Sequence, residues 1–170
     1  MGDDIEATGA ATVDEARFRQ VLGHFCSGVA VVTGLDAGEP VGLTVQSFTS
    51  LSLDPPLVLF CPAKSSTSWA RMRAGDGFCV NVLEESQEAL CRTFASRGGD
   101  KFVGVGWSPA PGTGSPVLAG ALAWVDYTLD VEHDGGDHTI VVGRVLDLGL
   151  REHDSTPLLF FRGGFGRFEP

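Results

Sequence analysis

Residues 42–61 read GLTVQSFTSLSLDPPLVLFC, and how this stretch is parsed decides the fold. Two runs of strand-forming residues flank a two-proline corner at Pro55 and Pro56, which predicts a pair of strands. Side chains alternate across a strand. Thr44, Gln46, Phe48, Ser50 and Ser52 therefore fall on one face, and Leu43, Val45, Thr49, Leu51 and Leu53 on the other, with Ser47 among the latter. The polar row has two readings: a half-buried strand with its polar side in water, or a surface along which a planar polar ligand lies.

Outward from this stretch, β-branched and apolar runs predict strands at 29–33, 41–50, 57–61, 78–83, 121–133, 138–148 and 158–161. The two long ones are joined by DGGD, where Gly135 and Gly136 can take positive φ in a tight turn. Helices are expected at 13–26, 65–73 and 84–95. The first opens on capping-box spacing between Thr12 and Glu15 and carries Phe18, Val21, Leu22 and Phe25 on one stripe. The third turns Leu90, Cys91 and Phe94 inward, and residues 98–116, dense in Gly and Pro, predict a long surface loop. Several strands are apolar on both faces, as happens when a sheet closes on itself and is also covered outside. The expectation is a mainly β fold, a barrel with a few peripheral helices, forming one domain over 13–170 behind a disordered tail at 1–12.

Composition narrows the function. A chain of 170 residues with 43% hydrophobic content can bury one sizeable core. A net charge of -10 argues against nucleic acid, whose phosphates require a basic patch. Cys26, Cys61, Cys79 and Cys91 form no CxxC pair and sit in apolar runs, so they read as reduced core residues, and His24, His133, His138 and His153 lack ligand spacing to them; no metal is expected. Asp3, Asp4 and Glu6 stand where a signal peptide needs positive charge, and no run approaches the ~20 apolar residues that span a bilayer. The expected location is the cytoplasm, away from membranes.

No GxSxG, HExxH or P-loop is present, and GVGWSP and GGFGRF have the wrong spacing for a dinucleotide fingerprint. Two further clusters carry chemistry. In CPAKSSTSW, residues 61–69, hydroxyls and Lys64 precede a short helix, which is either a plain serine N-cap or an anion site suited to a phosphate. In GGDHTIVVG, His138 opens an apolar strand straight after the glycine turn, either as a turn residue or as a titratable ring at a rim.

Taken together, GVAVVT, GLTVQSFTSLSLDPPLVLFC, FCVNVL, FASRGGDKF, GSPVLAGALAWVDYTL, GGDHTIVVGRV and PLLFFRGGFG, in this order, resemble the small flavin reductases that serve two-component flavin-dependent monooxygenases. The likeness extends over about residues 16–168. It is greatest to the reductase of the bacterial steroid-ring hydroxylase system. The resemblance implies an FMN-binding split β-barrel that binds FMN or FAD, works as a homodimer with flavin sites near the subunit interface, and takes hydride from NADH, or NADPH, for delivery of reduced flavin to a separate oxygenase.

Residue by residue, the resemblance places Thr44, Val45, Gln46, Ser47 and Phe48 along the isoalloxazine and ribityl chain, Cys61, Pro62 and Ala63 beside the same flavin, and Ser66, Thr67 and Ser68 near its phosphate. It sets His138, as the catalytic candidate, on the nicotinamide side, with Pro157, Leu158, Leu159 and Phe160 adjoining. Tyr127 departs from the cysteine of many relatives, and the segment between Arg151 and Pro157 varies among them. Hydride transfer between stacked rings needs close approach more than a strong acid or base, which suits a wall of main chain and small hydroxyls. The alternatives are a flavin-binding barrel without reductase activity, acting as carrier or sensor, and a pyridoxamine-phosphate-oxidase-like enzyme.

Overall fold

The computed structural model describes residues 13–151 and 155–169. The expected tail at 1–12 and Thr12 itself lie outside them, as does part of the variable segment before Pro157. Twelve strands and three helices run in chain order: α1 (Glu15–Leu22), β1 (Ser27–Gly28), β2 (Ala30–Asp36), β3 (Glu39–Val45), β4 (Thr49–Leu53), β5 (Pro56–Phe60), α2 (Thr67–Met72), β6 (Gly77–Val82), α3 (Glu88–Ala95), β7 (Trp107–Pro109), β8 (Pro116–Leu118), β9 (Ala123–Gly135), β10 (His138–Leu150), β11 (Leu158–Phe161) and β12 (Gly164–Arg167).

The expected strand at 41–50 is broken at Gln46–Phe48, and that break makes the fold. Seven strands pair in the order β3-β2-β6-β9-β10-β5-β4, so the chain steps from one edge of the sheet directly to the other across three residues. In a flat sheet those edges would stand roughly 29 Å apart, whereas four residues of extended chain reach at most ~14 Å. The sheet must therefore curl until its edges approach. No ladder joins β3 to β4 among the described residues, so the barrel is split along this line. A second sheet, β1-β11-β12, covers one side.

The curl produces two cores from one set of strands. Ala30 and Val32 face the barrel interior with Val41, Leu43, Phe60, Phe78 and Tyr127, whereas their neighbours Val29 and Val31 pack outside with Leu83, Phe94, Leu118 and Leu158. This is why the strands are apolar on both faces. Inside, Phe60 meets Trp69 edge-on at 5.4 Å, and Phe78 lies 5.5 Å from Tyr127.

Several elements differ from expectation. Helix α1 is capped by Asp14, whose carboxylate accepts from Arg17 N at 2.9 Å, and it buries none of its residues. Only Gly136 takes positive φ at the β9–β10 turn, since the two-residue connection is Gly136–Asp137. The expected loop 98–116 contains β7 and reaches β8, and the buried Asn81 accounts for this. Its side chain accepts from Leu118 N at 2.7 Å and donates to Pro116 O at 3.2 Å, pulling that segment onto the barrel. Strand β12 follows a turn in which both Arg162 and Gly163 take positive φ, a hairpin geometry hidden by its non-Asn sequence.

Burial also sets an alkaline limit. Loss of solvent pushes the Cys79 thiol up to about 12, with the Asp126 charge adding to it, and burial also raises the Tyr127 phenol well above its usual range. The free thiol titrates at 9.0, so the stability gained by keeping Cys79 neutral is complete below pH 9 and lost as the pH rises from there toward 12. Urea unfolding above pH 9 is expected to lose about 1.4 kcal/mol per pH unit from this group. Cys79→Val should flatten that slope, and an unchanged slope would contradict the assignment.

Candidate active site

A cavity of about 720 Å³ opens at the split. Its first wall is the end of β3 and the crossing: Leu43, Thr44, Val45, Gln46 and Ser47. Ser47 stitches that crossing to the end of β5, accepting from Cys61 N at 2.8 Å while its hydroxyl donates to Cys61 O at 3.3 Å. Thr44 gives its proton to Cys91 O at 2.7 Å, which seats α3 against β3. Gly42 permits this approach, because a Cβ there would lie 2.6 Å from the Phe94 ring. Of the hydroxyl and amide groups on this wall, Gln46 is the one without a side-chain partner among the described residues.

The second wall is Cys61, Pro62 and Ala63, paired with the tip of the β9–β10 hairpin. Ala63 bridges to His138, Thr139 N donates to Pro62 O at 3.0 Å, and Lys64 N donates to Asp137 O at 2.9 Å. A Lys64–Asp134 ion pair closes the same joint. His138 is thereby fixed on the rim of the cavity. Its Nδ1 lies 2.7 Å from an Asp137 carboxylate oxygen, and that hydrogen bond, with the charge of His138, holds the Asp137 carboxyl below its usual range. The carboxylate favours a proton on Nδ1 and leaves Nε2 as the ring nitrogen available to a ligand.

Ser66, Thr67 and Ser68 continue the lining from the second wall, with Ser66 N donating to Ala63 O at 2.9 Å, and Arg97 and Lys101 line the same cavity. Ser66 is the N-cap of α2, accepting from Trp69 N at 3.2 Å, so the plain capping role holds within the cavity wall. Lys101 donates to Phe94 O at 2.9 Å, Ser68 Oγ at 3.1 Å and Gly42 O at 3.3 Å, and burial lowers its ammonium below the usual lysine range. Arg97 has no hydrogen-bond partner among the described residues. Among the described residues no Asp or Glu lines the cavity, so Arg97 and Lys101 give it positive charge within a chain of net charge -10.

The structure therefore gathers Thr44, Val45, Gln46, Ser47, Cys61, Pro62, Ala63, Ser66, Thr67, Ser68 and His138 on one cavity. Phe48 is elsewhere, turned against the inner core. The strand carrying Leu158, Leu159 and Phe160 is also away from it in the same chain: Leu158 is buried in the outer core, Phe160 packs on Phe165, and Pro157 bridges to Glu84. Arg97 and Lys101 went unassigned in the sequence. Their signal was a cation on each side of the Gly98–Gly99 pair, which pattern alone does not connect to residues thirty positions earlier.

A split barrel whose seam holds a cavity lined by main chain, small hydroxyls and two cations suits a flavin, with its flat ring and its phosphate. Residues 22–169 match the flavin reductase like domain, and the chain belongs to that family. It is 52% identical over 165 residues to the reductase subunit of a flavin-dependent monooxygenase from Rhodococcus jostii, covering 96% of this chain and 83% of that one. The structure of nitrilotriacetate monooxygenase component B from Mycobacterium thermoresistibile superposes with a TM-score of 0.90 at 49% identity, covering 95% of this chain and 90% of that one. An NADH:FAD oxidoreductase of Streptomyces globisporus, in complex with NAD and FAD fragments, gives 0.86 at 41% identity, with coverage of 92% and 94%.

Proposed function

We propose that this chain is an NAD(P)H-dependent flavin reductase, reducing FMN or FAD and supplying the reduced flavin to a partner monooxygenase. The observation that carries it is the lining of the seam cavity, which combines main chain and small side chains at 44–47, 61–63 and 65–68 with the cations Arg97 and Lys101. The donor set fits the group: a flat wall at 61–63 for the ring, Gln46 and the crossing main chain for its polar edge, and two cations for its phosphate. When bound, the flavin supplies the ring that accepts hydride from reduced nicotinamide. The protein's residues position and exclude water; none acts as a strong acid or base at the wall.

His138 assists the nicotinamide side through Nε2, oriented by Asp137. Mixing the protein with FMN and NADH is expected to consume NADH, followed by its absorbance. His138→Ala should raise the KM for NADH several-fold and lower kcat less than tenfold. Unchanged NADH beside a perturbed flavin spectrum would favour the carrier reading, and abolished turnover at full ligand affinity would give His138 an essential proton transfer.

The functional unit is a homodimer in the cytoplasm. Helix α1 has eight residues and buries none of them, with Phe18, Val21 and Leu22 more than half exposed and Phe25 82% exposed. A helix this short is marginal in water without a packed face. Phe161 extends the patch, meeting His24 edge-on at 6.1 Å. A second copy covering this face brings β11 to the interface, where its contact with a nicotinamide would be made. Light scattering is expected to show twice the chain mass for the wild type and a single chain mass for the pair Phe18→Glu and Leu22→Glu; a dimeric double variant would remove α1 from the interface.

A further inference from the structure

Lys64 belongs to the cavity wall by its place in the sequence and leaves it in space. Ala63 and Ser65 border the cavity, whereas the Lys64 ammonium is paired with Asp134 on the β9–β10 hairpin. The anion site considered for residues 61–69 therefore loses this cation to another partner. We propose that Lys64 is a positioning residue: it latches the hairpin tip and so keeps His138 on the nicotinamide side of the cavity. This rests on the reductase reading above and adds to it a residue that touches neither ring.

The tip lies beyond the last rung of the sheet. Strand β5 accompanies β10 only over Val141–Arg144, so His138 and Thr139 have the segment 62–64 as their neighbour on that side. Lys64 grips both arms of the hairpin there. Its main-chain N–H donates to Asp137 O at 2.9 Å, next to His138, and its ammonium reaches Asp134, which stands opposite Thr139 on β9. The hydrogen bond from Lys64, with its charge, holds the Asp134 carboxyl below its usual range. Along the same arm Asp130 pairs with Arg144 and Glu132 with Arg73. Those two fall alongside the β5 ladder, since Leu129 and Val131 stand opposite Gly143 and Val142, and Glu132 opposite Val141. Backbone pairing has already fixed the strand at that level, and an ion pair open to water adds little to it. At Asp134 the β5 ladder has ended, and the turn beyond contains Gly136 at φ 78°, a residue that leaves the tip free to swing. Among the described residues, the Lys64–Asp134 pair is the side-chain tie between this tip and the cavity wall.

The test uses the full chain, with steady-state kinetics for NADH and fluorescence quenching for FMN and riboflavin. Lys64→Met, which keeps the main-chain bond, is expected to raise the KM for NADH about threefold, the scale of an exposed ion pair, and to leave the FMN Kd unchanged. Lys64→Glu sets like charges face to face and should raise that KM about tenfold, with Asp134→Lys in the same chain restoring it. In a His138→Ala background Lys64→Met should change nothing further. Arg144→Met, which breaks an ion pair of the same hairpin beside the β5 ladder, should leave the KM as it was. An unchanged KM in Lys64→Glu overturns the latch, because main chain alone then holds the tip. Effects that add to those of His138→Ala, or an equal effect of Arg144→Met, also overturn it. FMN binding that weakens while riboflavin binding does not would return Lys64 to a phosphate. A wild type that binds FMN and leaves NADH unconsumed fails the reductase reading itself, which an active wild type with an indifferent Lys64 does not. Thermal melting of Lys64→Glu checks that the variant is folded.

Discussion

Lys101→Met is expected to weaken FMN binding roughly 30- to 100-fold while riboflavin, which lacks the phosphate, changes less than about threefold. A charge-assisted hydrogen bond contributes about 1.5–3 kcal/mol, and 1.4 kcal/mol is a factor of ten in affinity. The change has a structural side, because Phe94 O, Ser68 Oγ and Gly42 O lose their shared donor. Those three bonds tie α3, α2 and β3 together, so some loss of stability accompanies it. Riboflavin separates the two consequences. A collapsed wall would weaken both ligands alike, whereas a lost phosphate contact weakens FMN alone. Equal losses for the two flavins would remove the phosphate from this end of the cavity.

Gly143→Ala is expected to cost about 4 kcal/mol, at or beyond the usual 1–3 kcal/mol of overpacking. A Cβ at this position on β10 would fall 2.1 Å from Cδ2 and 2.6 Å from Cε2 of Tyr127. The ring cannot retreat, since it is fully buried between Phe60 and Phe78. For a chain of this length the melting temperature should fall by about 10 °C. Tyr127→Cys in the same background is expected to recover most of the loss by opening the space that the alanine needs. Strictly additive effects of the two changes would show that the contact does not carry the cost. The Tyr127 hydroxyl has no hydrogen-bond partner among the described residues, so Tyr127→Phe alone should be neutral or stabilising.

Much of the site was legible because its residues are close in sequence. Thr44–Ser47, Cys61–Ala63 and Ser66–Ser68 fall within one stretch of the chain; alternation marked Thr44 and Gln46, cap chemistry marked Ser66–Ser68, and the family resemblance supplied Val45, Ser47 and Cys61–Ala63. Phe48 was misplaced by the same alternation, which assumes an unbroken strand through a point where the chain turns between sheet edges. Strands β7, β8 and β12 were missed because three or four residues carry no period, and what holds β8 is a side chain on β6. The placing of residues 157–160 beside a nicotinamide came from resemblance alone, and in this chain Leu158 is core.

The sequence by itself determined that the strands would be apolar on both faces and where the long hairpin would turn, since each of these is a statement about residue types at short range. Only the tertiary structure decided that β3 and β4 are opposite edges of one sheet, and that Lys101 meets Ser68 on a cavity that Arg97 also lines. Those relations depend on the curl of a seven-stranded sheet, in which positions far apart in the chain are brought together by backbone pairing that no local pattern records.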